Sequence, residues 1–183
     1  MRIFISLELQ SQFIKRLLKL QKFLQKKRLA VRLVRPKNLH LTLLFFGDIS
    51  LENLVKLQSI LSEACLSLYS LKLKTNALSA FPNPKYARTI IVKLNLDQHL
   101  NSFVKKISEN CLKSNILFDD KPFNAHITLA RLYKSIDIKR TLRNIKFTCD
   151  EFEVLKIKLM DSKLDKRGSG YRTVKEWQLK NQK

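Results

Sequence analysis

Acidic residues are scarce in this 183-residue chain: 15 Asp and Glu stand against 36 Lys and Arg, for a formal charge of +21. Between Glu8 and Asp48 there is no acid at all, while Lys15, Arg16, Lys19, Lys22, Lys26, Lys27, Arg28, Arg32, Arg35 and Lys37 fill the interval. The imbalance points to a polyanionic partner, nucleic acid or an anionic membrane surface, although for any single lysine the plainer reading is a solvated face. Cysteine is also sparse. Cys65, Cys111 and Cys149 are odd in number, far apart and outside any C-x-x-C pattern, so a disulfide framework or zinc knuckle is not indicated and reduced core cysteines are expected. No apolar run approaches the ~20 residues that cross a bilayer. The opening segment carries Glu8 and lacks a small-residue cleavage site, so a soluble, unexported, cytoplasmic protein is expected. There is no P-loop, no G-x-G-x-x-G and no G-x-S-x-G, which removes the common phosphate-cradling loops and the nucleophile elbow.

What is present is a repeated grammar. Ile3, Ile5, Leu7 and Leu9 alternate as in a half-buried strand, and Phe13, Ile14, Leu17, Leu18, Gln21 and Leu24 follow at helical spacing. Leu39 to Phe46 reads as a buried strand closed by Gly47-Asp48, Ser50 as the cap of a helix through Leu54, Leu57, Ile60, Leu61 and Leu68, and Leu71 to Leu78 as an alternating strand. Then Ile90, Val92, Leu94 and Leu96 alternate, Asp97 caps, and Leu100, Val104, Ile107 and Leu112 make another amphipathic helix. A short helix around Ile136 to Ile145, a strand from Phe152 to Met160, a Gly168-Ser169-Gly170 turn and a last strand from Tyr171 to Leu179 complete the chain. The first strands of the two halves superpose at an offset of 87 residues. The tetrapeptides His40-Leu41-Thr42-Leu43 and His126-Ile127-Thr128-Leu129 superpose at 86, and Leu155-Lys156-Ile157-Lys158 echoes Leu71-Lys72-Leu73-Lys74. The agreement predicts a duplicated β-α-β unit, two lobes of one domain spanning residues 1–183 with no linker between them.

On a strand, residues i and i+2 share a face, so His40 with Thr42, and His126 with Thr128, each look one way while the leucines and Ile127 pack the other. If a histidine meets H-x-T-x by composition about one time in forty, two of three doing so has a probability on the order of one in a thousand. Taken singly, each imidazole reads better as a core or rim group satisfied by a backbone carbonyl. His40, His99 and His126 lack ligand-like spacing, so no metal site is expected, and His99 belongs on the outer face of its helix. Two imidazoles, both starting near a pKa of ~6.5, allow one to take a proton from water while the other gives one to a leaving oxygen. Threonine hydroxyls can donate to non-bridging phosphoryl oxygens, where charge must be stabilised. The chemistry that fits is acid/base catalysis at phosphorus, with no metal or cofactor.

At these residues the sequence resembles the two-histidine (2H) phosphoesterase superfamily, and within it the RNA 2′,3′-cyclic phosphodiesterase, or 2′-5′ RNA ligase, family. The likeness runs through Arg2-Ile3-Phe4-Ile5, Arg35-Pro36-Lys37-Asn38-Leu39-His40-Leu41-Thr42-Leu43, Phe46-Gly47, Ala80-Phe81-Pro82, Pro122-Phe123, His126-Ile127-Thr128-Leu129-Ala130-Arg131, and Ser162 with Leu164 through Gly170-Tyr171. It implies a bilobal α+β fold in which two antiparallel sheets face a central cleft with helices outside. It implies hydrolysis of RNA 2′,3′-cyclic phosphate ends to 2′-phosphates, with weaker ligation of tRNA halves. It further implies His40 as proton donor to the departing 3′ oxygen, His126 as the base that activates water, and Thr42 and Thr128 as phosphate holders. The chain departs from the family at Asn124-Ala125, where a basic residue and proline are common, and at Ile91, where tryptophan is common. Arg131 falls on the alternation of Leu129 rather than Thr128, so its cleft role needs a strand bend. Tyr171 and Phe81 are candidate base-stacking residues, with core packing the alternative for Phe81. A monomer acting on RNA ends, tRNA fragments among them, with no membrane partner, is the expectation. Two alternatives stay open: a phosphodiesterase of a small cyclic phosphate, and a non-catalytic RNA-binding module working through the basic helix.

Overall fold

The alternation of the first strand has a structural counterpart on both of its faces. The computed structural model describes residues 1–27, 29–95, 97–165 and 168–181, so Arg28 of the basic run and Leu96 of the second alternating series lie outside the described residues. In β1 (Arg2–Leu7), Ile3, Ile5 and Leu7 are fully buried, and Phe4 and Ser6 on the opposite face are buried as well. A half-buried strand was expected. β1 instead lies inside a sheet, paired on both edges, with the rings of His40 and Tyr171 against Phe4.

The first helix, α1 (Ser11–Lys26), buries Phe13, Leu17, Gln21 and Leu24. After it come β2 (Val31–Leu33), a 3-10 turn over Pro36–Asn38, and β3 (Leu41–Asp48), whose Gly47 takes a φ of 67° that favours glycine. In α2 (Leu51–Leu66) the Ser50 hydroxyl accepts from the Asn53 N–H at 3.1 Å, and in α3 (Gln98–Lys113) the Asp97 carboxylate accepts from the Leu100 N–H at 2.8 Å, so both expected caps form. Between these helices run β4 (Leu71–Phe81) and β5 (Ala87–Leu94); β6 (His126–Ile136) follows α3. The short α4 (Lys139–Arg143) precedes β7 (Glu151–Val154), β8 (Lys156–Asp165) and β9 (Gly168–Gln178).

Along the sheet the strands run β7-β4-β5-β6-β3-β1-β8-β9, all antiparallel, with β2 added to the free edge of β6. The order from β4 to β8 is symmetric about β6 and β3: β5 corresponds to β1, and β4 to β8. The sheet therefore has two leaves, which meet at one residue pair, Leu41 with Ile127. Each half of the chain sends one strand across to the opposite leaf, since β4 pairs with β5 and β8 with β1. Leu41, Ile127 and Leu129 join Phe13, Leu17, Leu57, Leu61, Phe103 and Ile107 in one apolar cluster, so the helices cover one face and leave the other for a cleft.

Several expected boundaries move. The strand expected from Phe152 to Met160 is two strands, because β7 pairs with β4 and β8 with β1, and the chain changes leaf at Leu155. The turn expected at Gly168-Ser169-Gly170 is strand in the structure, and residues 166 and 167 between β8 and β9 lie outside the described residues. The helix expected around Ile136 to Ile145 shortens to α4, because β6 runs on to Ile136. Cys65 and Cys111 are buried, and burial pushes each thiol up to about 11. Cys149 is exposed, against the expectation of a core cysteine: it follows α4 in a loop, with its Sγ on the Asn76 carbonyl at 3.2 Å.

Candidate active site

The one pair that joins the two leaves also assembles the site. Leu41 is the middle residue of His40-Leu41-Thr42, and Ile127 of His126-Ile127-Thr128. In an antiparallel pair the neighbours of both middle residues point away from them, to the same face of the sheet. Leu41 and Ile127 are fully buried on the core side. His40, Thr42, His126 and Thr128 are all half-buried, and all four line one cleft of about 420 Å³ on the other side.

Both imidazoles are oriented in the same way. His40 Nδ1 lies 2.7 Å from the Asn38 carbonyl, and His126 Nδ1 lies 2.7 Å from the Asn124 carbonyl, each two residues upstream. A carbonyl only accepts, so each Nδ1 carries the proton and each neutral ring is left with its Nε2 lone pair as its acid/base position. Thr42 Oγ1 sits 3.0 Å from His40 Nε2. Aromatic edges hold the rings: Tyr171 stands perpendicular to His40 with centroids 5.2 Å apart, and Phe81 nearly perpendicular to His126 at 4.8 Å. Burial is the first cause that pushes both histidine pKa values below their ordinary value of 6.5. The Asn38 and Asn124 carbonyls oppose it. The Arg131 charge lowers both values further, and a charged His126 lowers that of His40.

Arg131 reaches the cleft through a strand bend. β5 pairs Ile91 with Thr128 but Ile90 with Ala130, so Leu129 is an extra residue, a β-bulge, and the alternation of β6 changes phase beyond it. Arg131 thereby joins the face of Thr128. β3 does the same: Ser6 pairs with Thr42 and Ile5 with Leu44, which makes Leu43 the extra residue and turns Phe45 into the cleft. The Leu129 carbonyl accepts from the Val34 N–H at 2.9 Å and from Gln21 Nε2 at 2.8 Å. Gln21 Nε2 also donates to the Val34 carbonyl at 2.8 Å, so this glutamine, 3% exposed, ties α1, the bulge and the segment after β2 together.

The LigT like Phosphoesterase family model matches residues 7–91 and, a second time, residues 92–171. The chain belongs to the LigT-like phosphoesterases. The RNA 2′,3′-cyclic phosphodiesterase of Methanocaldococcus jannaschii is 33% identical over 183 residues, 97% of this chain and 100% of its own. The Archaeoglobus fulgidus protein of the same name is 31% identical over 149 residues, covering 79% of this chain and 82% of its own. Among solved structures, TT0787 of Thermus thermophilus superposes with a TM-score of 0.83 at 22% identity, over 100% of both chains.

In this LigT-like phosphoesterase, His40, Thr42, His126, Thr128, Arg131 and Tyr171 all line the cleft, whereas Phe81 only abuts the His126 ring. Sequence reasoning missed Phe4, Phe45, Asn38, Ser162, Arg32 and Arg35 as cleft residues. Phe4 had a usable signal, since it alternates out of phase with the buried Ile3 and Ile5. Arg32 and Arg35 stood in the acid-free run without anything to mark them off from the lysines. Among the described residues, no three His, Cys, Asp or Glu side chains converge as a metal-ligand set, and no helix is long and apolar enough to cross a membrane.

Proposed function

We propose that residues 1–183 act as one two-lobed domain that hydrolyses the 2′,3′-cyclic phosphate at the end of an RNA to a 2′-phosphate, with His40 and His126 as acid and base. The observation that carries this reading is the Leu41–Ile127 pair, because it brings two uniformly oriented imidazoles, two threonine hydroxyls and Arg131 to one cleft. The names of the 33% and 31% identical relatives support an RNA end as the substrate.

With the cyclic phosphate between the two rings, His126 Nε2 takes a proton from water as the water oxygen bonds to phosphorus. His40 gives its Nε2 proton to O3′ as the P–O3′ bond breaks. Burial and the Arg131 charge disfavour both imidazolium ions, so the proton on His40 depends on the substrate: a phosphate anion beside Arg131 offsets that arginine's repulsion and favours the charged ring. Protonation of His40 also reverses its bond with Thr42. Neutral Nε2 accepts the threonine proton, whereas Nε2–H donates and releases the hydroxyl proton to a non-bridging oxygen. Thr128 and Arg131 stabilise the remaining charge on the phosphoryl group.

The test is incubation with an oligonucleotide ending in a 2′,3′-cyclic phosphate, beside a nucleoside 2′,3′-cyclic phosphate and with a strong chelator present. The expected product is a 2′-phosphate end, formed at undiminished rate in the chelator. No hydrolysis of the oligonucleotide, or a 3′-phosphate product, would overturn the reading. Hydrolysis of the nucleoside alone would instead favour a small cyclic phosphate as substrate.

A further inference from the structure

The two walls of the cleft differ in kind. Phe4, Phe45 and Tyr171 make one of them aromatic, whereas Arg32, Arg35 and Arg131 make the other cationic, and among the described residues no carboxylate lines the cleft. Elsewhere arginines find acids, as Arg16 does with Asp150 at 2.8 Å and Arg172 with Asp161 at 3.6 Å. Among the described residues no such ion pair involves Arg32, Arg35 or Arg131. Arg32 is moreover the direct cross-strand partner of Arg131 in the β2–β6 ladder. Like charges directly opposite on one sheet face repel, so this wall is destabilising until an anion enters.

The scissile group does not account for that much charge. A cyclic phosphodiester carries one negative charge, and Arg131 with one imidazolium already more than offsets it. Two guanidiniums, Arg32 and Arg35, remain on the same wall. Along an RNA strand the next anion is the 5′-phosphate of the terminal nucleotide. We infer that Arg32 and Arg35 form a second phosphate subsite, which holds the 5′-phosphodiester of the terminal nucleotide while Arg131 and the threonines hold the cyclic one. The RNA chain then leaves the cleft across β2. Guanidinium suits this task, because its fork of N–H donors matches two phosphate oxygens at once. The inference rests on the reaction proposed above, but its test does not require turnover.

The experiment is calorimetric titration of the full chain with adenosine 2′-monophosphate and adenosine 2′,5′-bisphosphate. The bisphosphate is expected to bind about tenfold tighter or better, as a charge-assisted contact provides. That ratio should fall toward one in the Arg32→Gln/Arg35→Gln double variant and persist in Lys106→Gln/Lys113→Gln, which alters the same net charge on the exposed face of α3. Equal affinities in the unaltered protein would overturn the subsite, as would a ratio that survives loss of both arginines. An equal fall in the α3 variant would overturn it too, by showing that only long-range charge is at work. If the ratio behaves as expected while cyclic-ended RNA is not hydrolysed, the subsite stands and the proposed reaction falls.

Discussion

Replacing Gln21 with leucine removes both hydrogen bonds from its Nε2, to the Val34 and Leu129 carbonyls, while keeping the side chain's approximate volume. The Leu129 carbonyl keeps its bond from the Val34 N–H, but the Val34 carbonyl loses the glutamine. At about 1 kcal/mol net for each intramolecular bond, the variant should lose about 2 kcal/mol of stability. For a chain of this size that is roughly 4 to 8 °C in Tm. The catalytic effect has a ceiling. Gln21 bonds none of the imidazole, threonine or arginine side chains of the cleft, though Val34 lines it, and acts on Arg131 through the Leu129 bulge, whose relaxation returns that arginine toward the wrong face. Loss of a charged contact to phosphate costs about 1.5–3 kcal/mol, or roughly ten- to a hundredfold in kcat/KM, and Arg131→Gln should show the whole of it. Gln21→Leu should show part of it, and in the Arg131→Gln background should add little, because two changes acting through one contact are not additive. The assays are thermal unfolding followed by circular dichroism and initial rates on a cyclic-ended oligonucleotide for the four proteins of the cycle. Full kcat/KM in Gln21→Leu despite a lowered Tm would refute the reasoning, and so would an additive cycle.

His40→Ala and His126→Ala should each lower kcat by about 10²- to 10⁴-fold, with the double variant little worse, as rates on the same oligonucleotide would show; a loss under about tenfold in either would make that histidine structural. With a good leaving group in place of the 3′ oxygen, His40→Ala should recover much of its rate, and recovery by His126→Ala instead would exchange the donor and acceptor. The pH profile of kcat/KM should be bell-shaped with its optimum below 6.5, since both free-protein pKa values are lowered from that value. Arg131→Gln removes a positive charge that disfavours both imidazolium ions, so both limbs should move to higher pH, and unmoved limbs would show that Arg131 does not act on the rings.

Local chemistry made much of this protein legible in its sequence. Ser50 and Asp97 cap their helices because a short oxygen-bearing side chain at that position meets an orphan N–H three residues on, whatever the rest of the fold does. The alternation His40-Leu41-Thr42 and its repeat at His126 assigned faces correctly for the same reason: the period of a strand is a property of the backbone. What tertiary structure alone decided was every matter of partnership. Leu41 meets Ile127 only because the symmetric strand order sets β3 beside β6, and without that pair the two motifs share no cleft. Leu43 and Leu129 are bulges only in relation to the registers of β1 and β5, so the phase change that brings Phe45 and Arg131 into the cleft had no local signature. β2 is three residues held by one ladder to β6, too short to carry a period. Leu155 separates two strands because those on its two sides pair in different leaves. Periodicity is written in neighbours along the chain, whereas register is written in the contact between segments as far apart as Leu41 and Ile127, and only folding brings those together.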